Sequence, residues 1–192
     1  MKKNGHSKQN GFSMEQKFYV DPNIFQADLE KIAYVDWLFV DHDSRVPNPG
    51  DYFVFNIGKE SIIVTRGKDS VIRAFFNVCR HRGSHICTES EGNKQVLVCP
   101  YHAWSYQIDG RLRKAPRTQR LKNFNPAEIS LKPVRIEEFA SFYYINLDDG
   151  ANPLAGDVVG AESEIQRFLP DIDDVVLVNE TDYVVDANWK VI

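Results

Sequence analysis

The sequence predicts a mainly β domain built from short antiparallel strands, and three observations carry that expectation. Apolar, β-branched and aromatic residues gather in short runs: Tyr52–Ile57, Ser61–Thr65, Val71–Phe76, Gln95–Val98, Val134–Glu137 and Phe142–Leu147. Turn-forming residues punctuate them, at Asn48-Pro49-Gly50-Asp51, Gly58-Lys59, Gly67-Lys68-Asp69 and Asp109-Gly110. Helical spacing is confined to the two ends of the chain. Many short strands joined by Gly and Pro turns make an antiparallel sandwich or small barrel.

Near the N-terminus, Asp21-Pro22 reads as a helix cap followed by Pro at the first helical position. Phe25, Leu29 and Ile32 then recur at i, i+4 and i+7, an amphipathic helix ending near Tyr34. Val35–Val40 takes over as strand, with Trp37 expected in the core. Asp109-Gly110 sits between Tyr106-Gln107 and Arg111-Leu112 as a hairpin turn. Beyond Asp148 the texture changes. Gly150–Pro153 reads as a linker, Val158–Leu169 as a helix stopped by Pro170, and Val175–Val178 and Thr181–Val185 as strands.

Composition narrows the function. An apolar fraction of 43% over 192 residues supports a packed core. A net charge of −4 gives no general reason to expect nucleic-acid binding. No apolar run reaches the length of a membrane helix. The opening MKKNGHSKQNGFS is basic but has no apolar core, so it does not read as a secretory signal. Unpaired cysteines fit a reducing, cytoplasmic compartment.

Two short segments carry the chemistry: Cys79-Arg80-His81 and Cys99-Pro100-Tyr101-His102, with Arg82 to Val98 between them. Each offers one thiolate and one imidazole. Structural zinc sites pair Cys with Cys and His with His in the sequence. Here the two types alternate, which suits a Rieske [2Fe–2S] cluster, with two Cys on one iron and two His on the other. Gly83 lets the first loop turn tightly, and Pro100 presets a turn in the second. His85 lies beside the first loop but the ligand count is already full, so it reads as a surface or core histidine. Cys87 reads as a packed thiol. A zinc-stabilised binding module without redox chemistry remains the competing reading.

The stretch CRHRG…CPYHAWSYQIDGRL resembles the Rieske domain of the Rieske non-haem iron oxygenases, in their large (α) subunit. The entry D-P-x-x-F…W-L-F-V-x-H resembles the same subunits. The resemblance implies a Rieske-type antiparallel β-sandwich with a cluster-binding subdomain, plus an N-terminal helix and a short α/β C-terminal extension. It implies Cys79, His81, Cys99 and His102 as ligands of a [2Fe–2S] cluster, with Arg82, Gly83, Trp104 and Tyr106 around it. In the family a Tyr at the position of Tyr106 reaches a ligand sulfur; a plain core aromatic is the alternative. Arg82 is expected to bond within the loop, to meet an acidic partner, or to stay solvated. Cys79 and Cys99 are expected inside, and His81 and His102 at the tip where electrons pass.

High-potential relatives carry an extra Cys in each loop, joined as a disulfide, and a hydrogen-bonding Ser two residues after the second His. Here those places hold Tyr101 and Trp104, so the resemblance implies a potential towards the lower end of the Rieske span of about −150 to +300 mV. Ala103, where many members have Gly, resembles the oxygenases of quaternary amines such as glycine betaine and carnitine.

The resemblance also implies organisation and partners. A disordered leader covers 1–16, a helical segment 17–36, and the Rieske domain 37–148, with cluster loops at 79–87 and 99–106. A linker and the truncated start of a catalytic domain cover 149–192, because Ala187-Asn188-Trp189-Lys190 resembles the segment leading into the helix of the mononuclear iron site. That iron, Fe(II), is expected only in a full-length relative. The function implied is one-electron transfer as the relay domain of an O2-dependent oxygenase, or alternatively as a stand-alone Rieske ferredoxin. The partners implied are a flavin/iron–sulfur reductase or ferredoxin as donor and a homo-oligomer, a trimer in the family, with no nucleic acid and no membrane. The basic run Arg111, Arg113, Lys114, Arg117, Arg120 and Lys122 has no acidic residue within it. It reads as a solvated loop, or as a docking surface for an acidic partner.

Overall fold

A computed structural model describes residues 13–118 and 120–192. Up to residue 12, the expected leader lies outside the described residues. Helices α1 (Lys17–Val20) and α2 (Pro22–Asp28) open the described chain, and a wider π-type turn, Leu29–Ala33, extends α2. Asp21 caps α2 by accepting the Asn23 N–H at 2.8 Å. Of the expected apolar stripe only Leu29 is buried, while Phe25 and Ile32 are each 41% exposed. The reason is position. The helix lies on the rim of the sheet, where Leu29 meets Gly58, whose φ is +58°. A Cβ on Gly58 would come within 2.8 Å of Leu29 Cδ1, so glycine makes the contact possible.

Ten strands follow. They are β1 (Leu38–His42), β2 (Asp51–Ile57), β3 (Glu60–Arg66), β4 (Ile72–Phe76), β5 (Glu91–Asn93), β6 (Val96–Val98), β7 (Ser105–Gln107), β8 (Leu112–Lys114), β9 (Pro133–Phe139) and β10 (Phe142–Asn146). The first strand starts later than expected because the amides of Val35 and Asp36 bond back to the Ile32 carbonyl, completing the helix. Trp37 is half-buried rather than a core residue. Its indole N–H donates to the Asn152 carbonyl at 3.0 Å, and the Arg135 guanidinium lies 5.3 Å from its ring.

A seven-stranded antiparallel sheet runs in the order β1-β10-β9-β4-β3-β2-β5, and a three-stranded one in the order β6-β7-β8. The apolar run in β3 is buried on both faces. Ile62 and Val64 pack with Phe53, Ala74, Val134 and Ile145, whereas Ile63 packs with Tyr52 and Phe75 under the small sheet. Two cores result. The second holds Cys79, Cys99, Leu97, Trp104 and Tyr106. The cluster loops thus emerge from a packed interior, one after β4 and one between β6 and β7.

The C-terminal part corrects the expected α/β extension. Helix α3 spans Ala161–Phe168, but residues 175–178 and 181–185 form no strand. A strand needs a ladder partner. Here the Leu177 amide donates instead to Ser44 Oγ at 2.7 Å, and Glu180 pairs with Arg45. Val178 and Val184 face solvent. Further on, Asn188 Nδ2 donates to the Tyr19 carbonyl and Lys190 pairs with Asp28, tying this end to the N-terminal helices. Among the described residues no helix is long and apolar enough to cross a membrane.

Candidate metal centre at the tip of the small sheet

The two cluster loops fold as copies of one turn. In the first, the Gly83 amide donates to the Cys79 carbonyl at 2.9 Å and the Cys79 amide to the Ser84 carbonyl at 2.8 Å. In the second, the Ala103 amide donates to the Cys99 carbonyl at 3.0 Å and the Cys99 amide to the Trp104 carbonyl at 2.8 Å. Each turn requires a left-handed residue four places after its cysteine. Gly83 has φ +73° and Ala103 φ +58°. Glycine adopts this readily, whereas Ala103 holds it against its own Cβ.

The turns set the two cysteines inside and the two histidines towards the tip. Cys79 and Cys99 are buried, at 2% and 3% exposure. His81 is exposed and His102 half-buried, with ring centroids 4.7 Å apart. His102 Nδ1 is buried and has no hydrogen-bond partner. A buried imidazole nitrogen without a partner is what a metal-ligating histidine presents before its metal is counted. No three His, Cys, Asp or Glu side chains among the described residues converge on a single ion position. A lone zinc needs such a set. A two-iron cluster does not, because each iron takes only two protein ligands. Two thiols and two imidazoles, one of each from either turn, are the donor set that a Rieske [2Fe–2S] cluster takes.

Tyr106 unites both readings offered for it. It is fully buried, and its hydroxyl lies 3.3 Å from Cys79 Sγ. The same oxygen accepts the Arg80 N–H at 3.0 Å, which leaves its own proton free for the sulfur. Burial, with the Cys79 sulfur next in effect, raises the phenol above its ordinary range, so it stays a donor. Burial also raises the Cys79 thiol, opposed by the Tyr106 hydroxyl and a backbone amide. Burial lowers the His102 pKa, helped by His81, Arg82 and Arg117.

Position bears on several other expectations. Arg82, Gly83 and His85 are exposed. Cys87 is a packed thiol, 3% exposed, its pKa pushed up to about 11 by burial. Arg111 is neutralised by Asp109 at 2.6 Å, while Arg113, Lys114, Arg117, Arg120 and Lys122 form no ion pair among the described residues. A cleft of about 810 Å³ surrounds the two imidazoles, walled by Arg82, Tyr101, Arg117, Leu121 and Phe124, with no carboxylate in its lining.

One residue named in the sequence reading and one that escaped it complete the site. Trp104 stacks on His81, with centroids 4.8 Å apart and planes 10° from parallel. Asn77 is buried and uses both ends of its amide. Oδ1 accepts the Ile86 and Cys87 amides, each at 2.9 Å, and Nδ2 donates to the Cys87 carbonyl at 2.8 Å and Ser61 Oγ at 3.2 Å. It pins the far end of the first loop to β3. The only trace of this in the sequence is a polar residue closing the apolar run of β4.

Buried thiols beneath paired imidazoles, on two like turns, define the site of a Rieske protein. A family model for the Rieske [2Fe-2S] domain matches residues 36–125. The chain carries that domain and is homologous to Rieske oxygenase α subunits. It is 36% identical over 182 residues to the carnitine monooxygenase oxygenase subunit of Escherichia coli K12, covering 95% of this chain and 49% of that one. It is 38% identical over 185 residues to the glycine betaine monooxygenase oxygenase subunit of Chromohalobacter salexigens, covering 96% and 41%. The apo form of the quaternary ammonium Rieske monooxygenase CntA superposes with a TM-score of 0.87 at 34% identity, over 93% of this chain and 52% of CntA. The chain spans about half the length of the curated relatives it matches.

Proposed function

We propose that the chain is a one-electron relay, with Cys79 and Cys99 holding the inner iron of the cluster and His81 and His102 the outer one. The observation that carries this reading is the pair of matched turns, which sets both thiols in the core and both imidazoles at the rim. When bound, the cluster supplies reversible uptake of a single electron at a potential set by its charge, its hydrogen bonds and its exposure. The chain's own residues do the rest. Tyr106 aims a proton at the Cys79 sulfur, His102 offers its buried Nδ1, and the exposed edge of His81 shortens the path to a partner.

The test is the EPR spectrum of the dithionite-reduced protein with iron and sulfide analysis. A Rieske signal lost in Cys99→Ser and in His102→Ala supports the ligand set. A colourless protein holding stoichiometric zinc sinks it.

The cleft around the imidazoles suits a docking partner, a reductase or ferredoxin with an acidic face, because its lining carries cations and aromatic rings but no carboxylate. Reversing Arg117, Arg120 and Lys122 is expected to slow reduction and flatten its salt dependence; an unchanged rate discards this surface. In a longer subunit, the relay would serve a mononuclear iron in a homo-oligomer. A solved quaternary ammonium Rieske monooxygenase, 35% identical to this chain, is described with inter-subunit electron transfer, which supports that arrangement. The substrate class we infer is a quaternary amine, supported by the carnitine and glycine betaine relatives. Oxygen uptake by a subunit carrying this chain, offered carnitine, glycine betaine and naphthalene in turn, decides it; uptake with naphthalene alone discards the amine.

A further inference from the structure

We propose that Trp104 is the positioning residue of His81, fixing the plane of that imidazole, shielding one of its faces from water and so holding the reduction potential down. The inference rests on His81 being a cluster ligand. Its observation is a contact between the loops. Trp104 belongs to the second turn, where its carbonyl closes the hydrogen bond to the Cys99 amide. Its side chain crosses to the first turn and lies flat against His81. Although it sits at the tip, Trp104 is only 7% exposed, whereas its neighbour Tyr101 is 58% exposed. Phe124 meets the indole edge-on, centroids 5.7 Å apart and planes at 70°.

The two imidazoles are therefore held differently. His81 lies parallel to an indole. His102 meets His81 edge-on and Tyr101 at a tilt of 37°. Two physical effects follow for His81, and they have the same sign. The electron-rich face of an indole favours an electron-poor ring, which is the imidazole on ferric iron. One added electron takes a cluster of two ferric ions, two sulfides and two thiolates from neutral to a single negative charge, and water excluded by the indole cannot solvate that charge. Both effects favour the oxidised state.

The experiment is a redox titration of the cluster-loaded protein, followed by EPR with dithionite as the one-electron donor. Trp104→Leu is expected to shift the midpoint positively and to change the g-anisotropy of the reduced signal. Trp104→Phe, which keeps a ring for stacking, is expected to stay near the parent in both. A parent chain without a Rieske signal overturns the ligand reading itself. A normal signal in Trp104→Leu with an unmoved midpoint overturns the role of Trp104 and leaves the ligands standing. If Trp104→Leu loads no cluster, Phe124→Leu decides. Loosening the support of the indole is expected to give a smaller shift of the same sign, and no shift there overturns the proposal.

Discussion

At the scale of single residues, Asn77 shows how much of the site depends on one side chain outside it. Replacing it with Ala leaves two amides, a carbonyl and a hydroxyl in the core without partners, each costing about 1–3 kcal/mol if water cannot reach it. Asn77→Ala is expected to lose on the order of 3 kcal/mol or more in urea unfolding and to bind less iron per chain. A loss under about 1 kcal/mol would show that the loop is held by something else. The contrast with the ligands explains what a sequence can disclose. Cys79, His81, Cys99 and His102 are legible because the chemistry needs those atoms at that spacing. Asn77 is not, and of Trp104 only its place near the cluster is, because what they touch is decided by how β4 meets β3 and how one loop meets the other.

At the scale of elements, the two turns make a matched pair with one mismatch. Left-handed geometry costs a non-glycine residue about 1–2 kcal/mol, partly offset by the greater chain entropy of unfolded glycine. Ala103→Gly is expected to stabilise the protein by about 0.5–1 kcal/mol, and Gly83→Ala to destabilise it by a similar amount. Nothing lies within 4 Å of a Cβ on Gly83, so its penalty is conformational and not a collision. Paired thermal melts check both signs.

The β3–β4 hairpin offers a pH test. The Arg73 guanidinium grips the Asp69 carboxylate with bonds of 2.8 and 2.7 Å and holds its pKa well below the ordinary 3.8, against a smaller opposing effect of burial. The folded state prefers the ionised form. This contribution is therefore complete above pH ~4 and is lost as pH falls through the native value. Asp69→Asn is expected to be less stable at neutral pH, with the gap to the parent narrowing below pH ~4. A gap independent of pH would remove the ion pair from the account.

Strands were legible where short apolar runs and turn chemistry coincided, as in β2, β3 and β4. Residues 175–185 carry the same apolar composition without forming a strand. Composition records what a segment can pair with, and the partner edge has to come from elsewhere.

At the scale of the molecule, the C-terminal segment meets the first helices of the described chain. Lys190 and the Trp189 indole both engage Asp28, and Asn188 reaches the backbone of α1. Asp28→Asn is expected to raise amide hydrogen exchange in 17–28 and 186–192 while leaving β2 and β3 protected. Equal loss of protection in β3 would mean that the contact supports the whole domain.

The matched turns have one more consequence, for maturation. Each loop is closed by hydrogen bonds between its own backbone groups, and each cysteine is anchored in a packed interior. The shape of the socket is thus written in peptide groups and not in metal bonds. Classical zinc fingers fold only around their ion. This chain is expected to do the reverse, finishing the receptacle first and admitting iron and sulfide afterwards through the exposed histidine side. Protein stripped of iron should keep its far-UV circular dichroism and a cooperative melt, and reconstitution should need no refolding step.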